Sequence, residues 1–100
     1  MKLKAISILS TEEETQVTGE YPNIAQPHSI PDAIVKLLMT KWGKDMPRIL
    51  NELHSALAMN AVHVSRESLG SNLTKMVRAN KVSRVKRNGV YAYTLPLHNR

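Results

Sequence analysis

The spacing of apolar residues changes along the chain, and each change marks an element. Lys2–Leu9, KLKAISIL, partly alternates and is rich in Ile and Leu, which predicts a short strand. Residues 11–28 are polar, carry Gly19, Pro22 and Pro27, and keep no period, as expected of a loop or flexible arm. From Ser29 the period becomes helical. Ser29 or Ile30 takes the cap position, Pro31 stands just inside, Asp32 lies in the first turn, and Ile34, Leu37, Leu38 and Trp42 share a face. Gly43 is placed to end that helix. A second helix is predicted with Asp45 as its cap, Pro47 in its first turn, and Ile49, Leu50, Leu53 and Leu57 as its apolar stripe. Met59–Val64 breaks the stripe with β-branched residues and reads as an extended connection.

A third helix is predicted over 66–79. Ser65 can accept backbone N–H groups at its start, and Glu67 lies where the helix dipole favours a carboxylate. Leu69, Leu73, Met76 and Val77 fall at i, i+4, i+7 and i+8, hence on one face. The opposite face carries Glu67, Ser68, Ser71, Thr74, Lys75 and Arg78, and Asn80 provides the stop. Gly70 weakens this helix by up to about 1 kcal/mol relative to Ala, which suggests a close packing neighbour.

Residues 81–95, KVSRVKRNGVYAYTL, predict a hairpin about Asn88-Gly89, since a type I′ turn needs positive φ at both central positions. That turn sets Arg87 opposite Val90, Lys86 opposite Tyr91, Arg84 opposite Tyr93 and Val82 opposite Leu95. Val82, Tyr93 and Leu95 then face the helices, while Arg84 and Lys86 reach solvent over their own aliphatic stems. Tyr91 is left between packing beneath the hairpin and stacking on a sugar.

Charge sharpens this picture. The net charge is +6, but residues 1–28 sum to −2 and residues 29–100 to +8, with eight basic side chains against Glu67 alone in residues 66–100. Such asymmetry suggests a polyanionic partner. One hundred residues suit one small domain. With one Trp, three Tyr and no Phe, the core must be built from aliphatic side chains and Met. The absence of Cys removes disulfides, zinc-thiolate sites and Cys nucleophiles. No apolar run is long enough to span a membrane, and MKLKAISILS followed by TEEE reads as a strand and not a signal peptide, so a cytoplasmic protein is expected.

Helix pair, polar-faced third helix and basic hairpin together resemble a winged helix-turn-helix domain over residues 30 to 95, with LTKMVRANKVSRV and NGVYAYTL similar to the end of such domains. The connection Ala58–Val64 is longer than the tight turn of the simplest family members, which leaves the docking angle of the third helix open. The resemblance implies an α+β fold: a three-helix core with a C-terminal hairpin wing over residues 29–95, preceded by an arm with a short strand, 1–28, and followed by a tail, 96–100. It further implies that the third helix enters the major groove of double-stranded DNA and that the wing, 81–95, touches the backbone or minor groove. The residues suit those roles. Ser68, Ser71, Thr74, Lys75 and Arg78 can bond phosphates or base edges, and Arg66 lies beside the free N–H groups of the helix start. Arg84, Lys86 and Arg87 can neutralise phosphates.

A small sequence-specific DNA-binding protein that regulates transcription is therefore the leading expectation, and Lys2–Leu9 can supply a homodimer contact by strand pairing or cover a sheet edge of its own wing. The alternatives are a protein-interaction module whose hairpin holds an acidic partner, and RNA binding, which lacks a visible pair of exposed aromatics on a sheet. No enzymatic activity, cofactor, metal or small-molecule ligand is expected. His28, His54, His63 and His98 lack ligand spacing, and there is neither a Gly-rich phosphate loop nor a GxSxG motif.

Overall fold

The computed structural model describes residues 21–96, so the strand expected over Lys2–Leu9 lies outside the described residues. The elements in order are α1 (Ile30–Met39), α2 (Lys41–Asp45), β1 (Arg48–Ile49), α3 (Leu50–Met59), α4 (Arg66–Arg78), β2 (Ser83–Arg87) and β3 (Val90–Thr94). Four helices thus pack with a three-stranded antiparallel sheet of order β1-β3-β2, whose last two strands form a C-terminal hairpin. None of these helices is long and apolar enough to cross a membrane.

Local chemistry accounts for most boundaries. Ser29 caps α1 by accepting the Asp32 N–H at 3.2 Å, and Pro31 sits in the first turn, where its missing N–H removes no helical bond. Ser65 caps α4 in the same way through the Ser68 N–H at 3.0 Å. Both α3 and α4 end in a left-handed residue with paired return bonds, the Schellman arrangement. In α4 the left-handed residue is Asn80, φ 60°, with Lys81 N–H donating to the Met76 carbonyl. In α3 it is Ala61, φ 62°, with Val62 N–H donating to the Leu57 carbonyl.

The stretch 40–49 departs from expectation. Gly43 does not end a long first helix. Thr40 does, with its extended backbone, and Gly43 is buried inside the separate short helix α2. Asp45 caps nothing; it closes α2 and faces Lys41 across 3.4 Å. Pro47 precedes a strand, β1, and α3 starts three residues later than the Pro suggested. The N-terminus of α3 is served instead by Glu52, whose Oε1 accepts the Ile49 N–H at 3.1 Å.

Ala33, Ile34, Leu37 and Leu38 of α1 meet Leu53, Ala56 and Leu57 of α3 and Leu69, Leu73 and Met76 of α4 in one core. Val82, Tyr93 and Leu95 close it from the hairpin side, as the register required. The segment ahead of α1 is fastened to the end of α3 by Asn60, whose Nδ2 donates to the Pro22 and Ala56 carbonyls while its Oδ1 accepts the Ile24 N–H.

Candidate functional site

Between α4 and the hairpin runs an open groove of about 540 Å³. One wall is α4, which presents Gly70, Ser71, Thr74, Lys75 and Arg78; the other is the hairpin, with Arg84, Tyr91 and Tyr93. The helix wall follows from the 3.6-residue period: once Leu69, Leu73 and Met76 are buried, Ser71, Lys75 and Arg78 must face out. The hairpin wall follows from the turn. Asn88 at φ 54° and Gly89 at φ 81° make the tight reversal, and the observed pairs are Arg87 with Val90, Lys86 with Tyr91 and Arg84 with Tyr93. Arg84, Lys86, Tyr91 and Tyr93 therefore share one face. Tyr93 turns into the core, and Tyr91, one step nearer the tip, is 50% exposed.

Of the residues singled out by sequence, the groove gathers Ser71, Thr74, Lys75, Arg78 and Arg84. Lys86 joins them through Tyr91, its Nζ lying 5.4 Å from the ring centre. Lys75, Arg78, Arg84 and Lys86 make no hydrogen bond or ion pair to another described side chain. Ser68 is exposed at the far end of α4, where its carbonyl accepts from Asn72 Nδ2. Arg66 lies twelve residues before Arg78, about 18 Å along the helix, and its Nε donates to Asn51 Oδ1 at 3.0 Å.

Arg87 is placed differently from its neighbours. Its two terminal nitrogens grip both oxygens of Glu52 at 3.0 Å, and Nη1 also donates to the Pro47 carbonyl at 2.6 Å. Its guanidinium bolts the hairpin to the start of α3 and is occupied there. Burial works to raise the Glu52 carboxyl. The Arg87 hydrogen bonds, the Ile49 N–H and the charges of Arg87 and Arg48 outweigh burial and hold it below the usual carboxylate range. A folded-state pKa below the unfolded one contributes stability that is present above the unfolded carboxylate value, about 4.3, and lost as pH falls through the folded one. Glu52→Gln should therefore lower the melting temperature at pH 7, and the gap from wild type should close in thermal scans as the pH falls below the ordinary carboxylate range and through the depressed folded-state pKa.

No family model, curated protein or solved structure matches the chain. The site thus rests on its own geometry. Among the described residues, no three or more His, Asp or Glu side chains are placed to hold a metal ion.

Gly70 and Tyr91 belong to the groove, though neither stood among the site residues chosen by sequence. A methyl added at Gly70 would meet only Leu50 Cδ1, at 3.6 Å, an ordinary contact. The packing neighbour expected there does not demand glycine. Gly70→Ala should accordingly raise stability by up to about 1 kcal/mol, read as a higher melting temperature.

Proposed function

We propose that the chain is a small DNA-binding protein of the winged helix kind, with α4 reading the major groove and the hairpin acting as its wing. The observation that carries this is the groove between α4 and the hairpin, where four cations from two elements converge with no ion pair to any described residue. Three longer helices followed by a C-terminal hairpin, the order on which the resemblance was drawn, occur among the described elements, with the short α2 and β1 inserted between the first and second of them. A 13-residue helix is about 20 Å long and narrow enough for a major groove of about 12 Å.

In this reading Ser71, Thr74, Lys75 and Arg78 meet base edges and flanking phosphates, while Arg84 and Lys86 hold the backbone beside them. Arg66 and Ser68 reach a phosphate near the start of α4, and Arg87 serves by fixing the angle of the wing. A regulator of transcription is the role proposed for such a reader. Specificity would gain from two copies on a two-fold site.

A second reading is supported by the other face of the hairpin. Val85 and Val90 lie beside Arg87 there, with Met46 Sδ 3.4 Å from its guanidinium, and the three apolar side chains are 41–51% exposed. Aliphatic surface on this face, with Arg84 and Lys86 on the opposite one, suits an acidic protein partner that grips the hairpin from both sides.

Fluorescence anisotropy with random-sequence duplex DNA across a salt series separates the two. The DNA reading expects binding at low salt that weakens steeply as salt rises, because phosphate contacts release counterions. Absence of duplex binding at low salt would sink it and favour the protein partner.

A further inference from the structure

Four aromatic residues make up the whole complement of this chain, and the structure describes all of them. Tyr93 is buried in the core. Tyr21 packs edge-on against Trp42, and the Arg48 guanidinium covers Trp42 at 4.3 Å. Only Tyr91 shows much of its ring, and that ring already carries two cations: Arg84 Cζ at 4.5 Å and Lys86 Nζ at 5.4 Å from its centre.

This arrangement solves an electrostatic problem. Arg84 and Lys86 are two residues apart on β2 and point to the same face, so they repel one another. Lys86 faces Tyr91 directly and Arg84 is its diagonal neighbour. The negative face of the ring attracts both, which draws them together where repulsion alone would splay them. A guanidinium resting on a ring keeps its N–H edge available, and neither cation bonds another described residue. Resting on the proposed DNA reading, we infer that Tyr91 is a positioning residue of this groove. Its ring gathers Arg84 and Lys86 into one cationic pair for the phosphates of a duplex, and the groove is left without a stacking platform for the bases of a single strand.

The inference separates this site from single-strand binders, which combine a basic groove with open aromatic faces. It also makes the ring, and not the phenol hydroxyl or mere apolar bulk, the working part. Anisotropy would be measured with a random-sequence duplex and with one of its strands, using wild type, Tyr91→Phe and Tyr91→Leu. Wild type should bind the duplex at least about tenfold tighter than the single strand. Tyr91→Phe should stay within about twofold of wild type on the duplex, and Tyr91→Leu should lose about three- to tenfold. In an Arg84→Ala, Lys86→Ala background, Tyr91→Leu should have no further effect, which a purely structural role for the ring would not produce.

Equal duplex binding by Tyr91→Leu and wild type, or an equal loss in Tyr91→Phe and Tyr91→Leu, overturns the role of the ring. Single-strand binding as tight as duplex binding overturns the selectivity. If wild type binds neither nucleic acid, the DNA reading itself has failed, and this inference falls with it.

Discussion

Replacing Lys75, Arg78, Arg84 and Lys86 together by Ala should remove duplex binding at all but the lowest salt and leave the fold intact. Each phosphate neutralised contributes about 0.9 to the slope of log K against log salt, so losing four contacts should flatten the wild-type slope by about 3.6. The fourfold variant should keep only the small slope of the Arg66 contact and bind only at the lowest salt. All four side chains are exposed and none bonds another described side chain, so the melting temperature should hold or rise slightly as like charges are removed. The two halves of the set should differ. Lys75→Ala with Arg78→Ala should alter which duplexes are preferred, since these residues lie on the helix proposed to meet base edges. Arg84→Ala with Lys86→Ala should weaken every duplex alike. Arg87→Ala provides the control from the same hairpin. Its guanidinium is held by Glu52 and Pro47, so stability should fall while the salt slope changes little. An unchanged slope in the fourfold variant would remove this groove as the interface.

The contrast between Arg87 and its neighbours shows where the sequence could and could not be read. The register of the hairpin was legible because it is local: Asn88-Gly89 permits one tight turn, and the turn dictates every pair down to Ser83 with Thr94. The exposed face of α4 was legible for a similar reason, since Leu69, Leu73 and Met76 must be buried together. Arg87, however, finds Glu52 thirty-five residues away, and only the tertiary fold brings that carboxylate to the hairpin. Its basic character alone made it look like its neighbours. Tyr91 was ambiguous because its surroundings are set by a cross-strand and a diagonal neighbour at once. β1, two residues long, is too short to show any period. Gly43 and Pro47 were given their commonest meanings, a helix end and a helix start. Gly43 is instead present for lack of a side chain.

That difference makes Gly43→Ala the substitution with the largest expected cost to stability. A methyl built at Gly43 falls 2.4 Å from Leu38 Cα, 2.5 Å from the Leu37 carbonyl oxygen and 2.7 Å from the Leu38 carbonyl carbon. These are backbone atoms at the end of α1, so no side-chain rotation can clear them. They also belong to two fully buried core residues, which cannot shift without opening the core. The alternative is for α2 to move away. Thr40 resists this, since its Oγ1 donates to the Leu37 carbonyl at 2.6 Å and accepts the Gly43 N–H at 3.2 Å. Displacing α2 would also disturb Trp42, whose carbonyl accepts from Arg48 Nε and whose ring lies under the same guanidinium, loosening β1 behind it. Against this, Ala brings a helix-propensity gain of about 1 kcal/mol, while overpacking a close-packed contact costs about 3 kcal/mol or more. The overlap wins. A net loss of about 2 kcal/mol corresponds to a melting temperature lower by about 8–16 °C for a domain of this size. Thermal unfolding of Gly43→Ala beside Gly70→Ala tests the reasoning with one chemical change at two helical sites: the first should melt lower than wild type and the second higher. A Gly43→Ala protein as stable as wild type would mean that α1 and α2 do not approach so closely.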